Sequence, residues 1–291
     1  MRGILLMAHG TPSSLDEMPA YLAMVRGGRA PSADLVEEMR SNYRAIGGRS
    51  PLTDITEAQA AGLRAKLGAD VPVAVGMRNW RPYIKDAIAA LVDRGVSRIL
   101  GIPMAPQYST LSVQKYLDAA RSALPEGTTF DTVPSFHDHP LLLDAFAERV
   151  RAAAPADDER VVFTAHALPA RVIDAGDVYA DQVAATAAGV AARAGVTRYA
   201  RAFQSAGRTP EPWIGPTLEE VVRAQAAAGV RKLLVAPIGF VCDHTEILFD
   251  IDVQAAAVAR EAGVALRRTE SLNTSATFIA LLETLVRGAI A

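Results

Sequence analysis

The sequence predicts an α/β protein made of two similar halves, each a four-stranded parallel sheet flanked by helices, with a cleft between them. Three observations predict it. Short apolar runs alternate with longer amphipathic stretches along the chain, the pattern of successive β-α units. One phrase occurs twice, about half a chain apart: an apolar run, Ala-His, then a proline three residues after the histidine, as ILLMAHGTP from Ile4 to Pro12 and VVFTAHALP from Val161 to Pro169. A second pair follows in the same order, a helix pattern with a glycine stop and a strand closed by proline, ending GVSRILGIP at Pro103 and GVRKLLVAP at Pro237. Helix-Gly-Val-strand alone is common in α/β proteins; two ordered matches mark a duplication.

Taken in order, the first half offers a strand over 3–8, helices over 33–46 and 55–67, a strand over 71–76 and a helix over 84–94. A strand over 98–102, a helix over 113–123, a strand over 128–133 and a helix over 141–153 complete it. The second half runs strand 160–165, helix 179–194, strand 198–203, helix 218–228, strand 232–236, helix 251–262, strand 265–268 and helix 275–290. Asp54, Ser112 and Thr217 stand where N-caps belong, and Gly95, Gly195, Gly229 and Gly263 where helices should stop. The boundary falls near 153–158, giving an N-terminal lobe over 1–153 and a C-terminal lobe over 154–291, whose last helix is free to pack back on the first.

Composition narrows the function classes. A net charge of −2 without runs of like charge gives no bias toward nucleic acid or anionic lipid. No window approaches 18 uninterrupted apolar residues and no leader pattern opens the chain, so the expectation is a cytoplasmic protein without a membrane span. The single cysteine, Cys242, excludes an internal disulfide and an all-cysteine iron–sulfur site within one chain.

In open parallel sheets, ligands bind beyond the carboxyl ends of the strands. His9, His166 and the segment after Pro237, GFVCDHTEILFDID, all gather there. There is no GxGxxG after a strand and no GxxxxGK[ST]; Gly47-Gly48 reads as a turn after a helix. Without GxSxG there is no nucleophile elbow, and a phosphohistidine role for His9 wants clustered arginines and a second histidine nearby. Metal chemistry fits better. His166 and Glu246 come from the ends of two strands of one sheet, and an imidazole with a carboxylate suits Fe²⁺, Co²⁺ or Zn²⁺. Two ligands leave coordination positions open, which suits transient holding. Glu246 and Asp250, four apart, share a face if helical, and Asp252 extends the row. Spacing alone leaves open that His244 and Glu246 are ordinary loop residues and Asp250 a solvated helix start. His137 and His139 in SFHDHP read as a turn before a helix, with Asp138 or His139 as its cap.

GFVCDHTEILFDID resembles the signature of the ferrochelatase family, and TAHALP resembles another element of it, with Thr164 and Ala167 in place of two serines. MAHGTP, RGGRAP, NYRAIGGRSPL, GMRNWRPYI, APQYSTLSVQKY and FQSAGRTPEPWIGP continue the match in order from residue 1 to about residue 252. The similarity extends to the short bacterial members that act on coproporphyrin III rather than protoporphyrin IX. The resemblance implies Rossmann-like, chelatase-like lobes around a porphyrin cleft and an enzyme that inserts Fe²⁺ into coproporphyrin III to give coproheme. It implies His166 and Glu246 as the catalytic metal pair. Arg26, Asn42, Tyr43, Ser50 and Tyr116 become contacts to the macrocycle and its carboxylates. His9 approaches the metal from the opposite face, where relatives carry tyrosine; Gln254 stands where they continue the acidic row with glutamate.

In that frame His166, as an imidazole titrating near roughly 6.5, holds the metal and accepts a proton, and Glu246 relays protons along Asp250. Trp80, Tyr83, Tyr116 and Trp213 form cleft walls, and Arg26 and Arg29 face carboxylates. No tightly bound cofactor is expected: Fe²⁺ is a substrate, replaceable by Zn²⁺ or Co²⁺. The partners are the porphyrin, Fe²⁺ and the next haem-pathway enzyme, and the protein is expected to be a monomer. A cobalt chelatase of the corrin pathway shares the architecture, though GRTPEPWIGP and DHTEILFDID favour iron. A non-catalytic haem-binding or haem-transfer protein would not need Glu246.

Overall fold

The computed structural model describes residues 1–207 and 209–290, Ile290 by its backbone alone; Arg208 of the FQSAGRTPEPWIGP phrase lies outside the described residues. In the first half, β1 (Arg2–Ala8), β2 (Val73–Met77), β3 (Arg98–Pro103) and β4 (Thr129–Thr132) form one parallel sheet in the order β2-β1-β3-β4. In the second, β5 (Glu159–His166), β6 (Tyr199–Gln204), β7 (Lys232–Pro237) and β8 (Ala265–Arg268) form another in the order β6-β5-β7-β8. The first strand of each half is therefore central, with the second and third on either side. That shared order is the duplication seen in the sequence. Central strands are covered on both faces, which is why β1 and β5 read as near-continuous apolar runs. The edge strands β4 and β8 alternate exposed with half-buried residues.

Helices connect the strands: α1 (Met18–Val25), α2 (Ala33–Ala45), α3 (Leu52–Leu67), α4 (Ile84–Asp93), α5 (Val113–Ser122) and α6 (Pro140–Ala152), then α7 (Ala170–Asp174), α8 (Tyr179–Ala194) and α9 (Leu218–Ala227). Thr217 caps α9 in a capping box, accepting from the Glu220 N–H at 3.2 Å while the Glu220 carboxylate accepts from the Thr217 N–H at 2.8 Å. His139 caps α6, and Gly195 ends α8 in the left-handed conformation. Asp54 is not a cap. Pro51 occupies the N-cap position and starts α3 at Leu52, so Asp54 lies in the first turn and pairs with Arg49 at 2.8 Å. The helix expected over 251–262 is divided into α10 (Thr245–Leu248), a π-helical stretch (Asp250–Ala255) and α11 (Ala256–Glu261). Helices α1 and α7, eight and five residues long, were too short to leave a period in the sequence.

One apolar cluster runs through both halves, from Ile4 and Leu6 of β1 to Phe163 of β5 and Leu234 of β7. The last helix, α12 (Ala276–Ile290), packs on α3 and α6. Buried amides of the first half reach the segment that follows β7. Gln59 donates to the carbonyls of Val241 at 3.3 Å and Asn273 at 2.8 Å, and Gln107 donates to that of Ile238 at 3.1 Å. The carboxyl ends of the two sheets are thus held facing each other.

Two glycines make the strand ends possible. Gly239 lets the chain leaving β7 cross β5, where a Cβ would stand 2.8 Å from the Ala165 Cα. Gly10, at φ +86°, turns the chain after His9 where a Cβ would lie 2.8 Å from the Trp80 backbone nitrogen. We expect Gly10→Ala to lower stability by about 2–3 kcal/mol, through positive φ and a backbone collision together. Urea unfolding measures it; an unchanged midpoint would show that the turn yields to a methyl group.

Candidate active site at the carboxyl ends of the strands

His166 is the last residue of β5, and Glu246 lies in α10, nine residues after β7 ends. The fold brings them together: His166 Nε2 is 3.5 Å from Glu246 Oε1. The other carboxylate oxygen, Oε2, is 3.3 Å from Nε2 of His244, whose Nδ1 is 3.0 Å from the Cys242 carbonyl. Glu246 is therefore held between two imidazoles. The sequence left His244 as a possible loop residue; its place beside Glu246 follows from the turn that starts α10.

Both ring nitrogens of His166 face oxygens, Nδ1 the Ala167 carbonyl and Nε2 the carboxylate. Burial opposes a charge on this ring, but the charge and hydrogen bond of Glu246, the Ala167 carbonyl and Asp250 outweigh it and raise the pKa to about 9. This corrects the expected value near the ordinary one: the free site holds a proton on His166 at neutral pH, and an arriving cation has to displace it. Burial likewise pushes the Glu246 carboxyl up, and the charges and hydrogen bonds of His166 and His244 outweigh it, holding the group well below the usual carboxylate range.

His9, at the end of β1, faces the same space from the first half. The Asn79 amide nitrogen donates to its ring, 3.1 Å from Nε2 and 3.3 Å from Nδ1. Burial lowers its pKa to about 4; Glu246 acts against that, and Arg78, His244 and His166 act with it. Those mutual influences place His9, His166, His244 and Glu246 around one volume. Tyr21 packs edge-on to His9 with ring centroids 6.4 Å apart, and Trp80 packs edge-on to Tyr21 at 6.0 Å. Burial pushes the Tyr43 and Tyr116 hydroxyls up to about 12, and both feel the Glu246 charge. Tyr43 reaches across to Thr245 of the second half.

A cleft of about 620 Å³ opens beside the pair, lined by Arg26, Asn42, Gln204, Glu219, Asp250 and Gln254 among others. Asp250 accepts from the Ser205 hydroxyl, and Ser205 itself is left-handed at φ +62°. Burial raises the Asp250 pKa to about 6, with Ser205 opposing and Glu246 adding to the rise. The acidic row stops there. Asp252 turns away to meet Arg268 Nε, at 2.8 and 3.0 Å, and Arg268 Nη1 lies 3.1 Å from Asp243. Residue 252 is two positions beyond 250, which puts it off the face that 246 and 250 share. Gln254, where the row was expected to end in an amide, donates to Glu219 at 2.8 Å, so α9 brings a carboxylate to the same wall.

The other expected residues are placed as follows. Ser50 is buried, and its hydroxyl accepts from the Leu52 N–H at 3.4 Å, at the start of α3. Arg29 is exposed and donates to the Arg26 carbonyl at 3.3 Å. Trp213 donates to Thr209 at 2.9 Å and covers Gly207. Tyr83 stands at the N-cap position of α4 with the Lys85 ammonium 5.9 Å from its ring centroid. His137 bonds Ser135 at 2.9 Å, away from the cleft. Among the described residues no group of three or more His, Cys, Asp or Glu is arranged to hold a metal, so the His166–Glu246 pair offers two protein donors and open sides. Asn79 and Ser205 each follow a strand, and the carboxyl-end rule could have found them. Tyr21 and Glu219 left no such signal.

Comparison with known proteins places these residues in context. The ferrochelatase family profile matches residues 1–290. A ferrochelatase of Deinococcus radiodurans is 43% identical, with 98% of this chain and 94% of that protein covered. A coproporphyrin III ferrochelatase of Geobacillus kaustophilus is 39% identical with the same coverage. Among solved structures, the sirohydrochlorin chelatase SirB of Bacillus subtilis subspecies spizizenii in complex with cobalt superposes with a TM-score of 0.60 at 12% identity, covering 98% of this chain and 94% of that one. At that identity the likeness is one of fold.

Asp250 yields a stability test. Its folded pKa of about 6 lies above the ordinary 3.8, so the folded state favours the neutral acid and wild-type stability falls as pH rises from about 4 to about 6. Asp250→Asn cannot titrate and can still accept from Ser205. We expect it to be more stable than wild type by about 1–2 kcal/mol at pH 7.5, an amount discounted for cleft water, and no more stable at pH 4. Urea unfolding at both pH values reads this; no gain at pH 7.5 would mean that Asp250 is freely hydrated.

Proposed function

The chain belongs to the ferrochelatase family and is an enzyme that inserts iron into a porphyrin in haem biosynthesis; on that premise we propose that its porphyrin is coproporphyrin III and that His166 and Glu246 handle the metal. The single observation that carries the assignment is the 3.5 Å pair itself, an imidazole from the end of β5 and a carboxylate from α10 meeting across from His9 in a cleft. Bacterial relatives named coproporphyrin III ferrochelatases, matched over nearly the whole chain, support the choice of substrate.

Insertion requires the loss of two pyrrole protons, and the pair can exchange them for the metal. Fe²⁺ arrives on Glu246 and displaces the proton from His166 Nε2, which leaves toward Asp250 and the cleft water. With the metal on both groups, the porphyrin's four nitrogens take Fe²⁺ as its two N–H protons pass to His166 and Glu246. Charge balances: a dication on a carboxylate and a neutral imidazole becomes a neutral metalloporphyrin, an imidazolium and a carboxylic acid. His166 keeps its proton, matching the resting state, and Glu246 passes its own to Asp250, whose raised pKa suits a relay near neutral pH. Tyr43, Tyr116 and Trp80 supply the dry walls against which the ring is held, and Arg26 and Asn42 meet its carboxylates at the mouth.

His9 stays neutral because of its burial, and its ring, held by Asn79, stands on the face of the porphyrin opposite His166, where a nitrogen released from Asn79 can meet the metal. Iron is substrate here and no resident cofactor is needed. The one cysteine, Cys242, is buried with its thiol pushed up to about 12, which disfavours metal binding. The reading extends to a cytoplasmic monomer that passes its product to the next haem-pathway enzyme. Among the described residues, no helix is long and apolar enough to cross a membrane. The sirohydrochlorin chelatase shares only the fold at low identity, and the family match favours iron insertion over a corrin-pathway cobalt chelatase and over a non-catalytic haem binder.

Two experiments test this. Anaerobic stopped-flow with Fe²⁺ and coproporphyrin III should show insertion by His166→Ala reduced at least about 100-fold, and wild type should prefer coproporphyrin III to protoporphyrin IX. Turnover at the wild-type rate would reject the metal role, and a preference for protoporphyrin would reject the substrate. Separately, the absorbance spectrum of the iron-loaded product bound to His9→Phe should differ from that of the wild-type complex. Identical spectra would remove His9 as a ligand.

A further inference from the structure

Arg78 is a cation with nothing to hold. It is half-buried just beyond β2, and the ends of β1 and β2 place it beside His9: the Arg78 N–H donates to the Ala8 carbonyl and the Asn79 N–H to that of His9, both at 2.9 Å. Its charge acts on His9 and on Tyr116, two groups buried in the wall of the cleft. Yet among the described residues its guanidinium makes no hydrogen bond and no ion pair. The half-buried Arg268 and Arg149 behave differently. Arg268 grips Asp252 and Asp243, and Arg149 meets Glu270 at 2.8 Å.

The residue is half-buried while its guanidinium nitrogens stay open to solvent, so five N–H donors stand ready at the wall of the site for an anion brought from outside. Glu246 cannot serve, because His166 and His244 already hold both of its oxygens. The guanidinium fork matches a carboxylate in two parallel hydrogen bonds. Arg78 is also not among the residues lining the outer cleft, where Arg26 lies. The two arginines therefore address different parts of a bound molecule.

We propose that Arg78 is a specificity-determining residue that binds a carboxylate of the porphyrin at the His9–Tyr116 side of the site, remote from the one met by Arg26. Two separated anchors select a macrocycle bearing carboxylates on more than one edge, as a tetracarboxylate does. The inference rests on the porphyrin cleft argued above and adds to it a second, inner anchor.

Binding without iron tests it, by fluorescence titration of coproporphyrin III, mesoporphyrin (two carboxylates) and etioporphyrin (none) into wild type, Arg78→Ala and Arg78→Lys. Losing a charge-assisted pair should weaken coproporphyrin III binding to Arg78→Ala by about 10- to 100-fold. Arg78→Lys should recover part of the loss, mesoporphyrin should suffer less, and etioporphyrin should be unaffected. Coproporphyrin binding to Arg78→Ala within twofold of wild type overturns the inference and leaves the cleft intact. Equal weakening of all three porphyrins also overturns it, since only the shape of the site would then have changed. A wild-type protein that binds none of the three sinks the porphyrin cleft itself, and this anchor with it.

Discussion

A carboxylate half-withdrawn from water gains from partners, and the site is organised around Glu246. Loss of part of its hydration disfavours the charge, and an imidazole at each oxygen offsets that loss. His166 must reach it from β5 and His244 from the turn before α10. That turn forms only because Gly239 lets the chain cross β5 at backbone distance. The crossing is then fixed from the other half by Gln59 and Gln107, buried amides that donate to carbonyls of the same segment. A pair of titrating groups thus reaches through packing to the interface of the two sheets.

The duplicated architecture makes the electrostatics legible. His9 and His166 end equivalent central strands and come from the same sequence phrase, yet their pKa values move in opposite directions, to about 4 and about 9. Burial acts the same way on both. The difference is the carboxylate: Glu246 touches His166 and only influences His9 from across the space, where Arg78 counters it. One ancestral position has become a neutral donor in one half and a proton-loaded one in the other. Both protonation states are useful to a reaction that takes up a metal and gives off protons.

Much of the fold was readable because it rests on local rules: each central strand was visible as an apolar run, and Thr217 and Gly195 as helix boundaries. The site was only half readable. His166 and Glu246 stood out by topology and by resemblance, since strand ends converge in a parallel sheet. What was lost needed three dimensions. Helix α1 was too short for a period, and with it went Tyr21 beside His9. The π turn has no pattern in composition, so Asp252 looked like the next member of a row when it is the counter-ion of Arg268. The pKa of His166 could not be read at all, because it depends on a distance between residues 80 positions apart.

The path of protons follows from where that row ends. In the proposed relay, Glu246 is too acidic to hold a proton near neutral pH and His166 too basic to release one, so neither can both take and give it. Asp250, at about 6, can. It is held by the hydroxyl of Ser205, a residue in the left-handed conformation that a β-carbon disfavours, and such strain persists only where the surroundings enforce it. Asp252, two residues on, faces away from Asp250 in any helix, while Gln254 stays on the cleft wall. Asp250 is therefore the last acid of its own helix in the cleft, and Asp252 pairs with Arg268, which also meets Asp243. The pairing of Asp252 with Arg268 thus ties down the segment that follows Glu246, and at the cleft it leaves Asp250, a carboxyl group whose affinity for protons lies between those of Glu246 and His166.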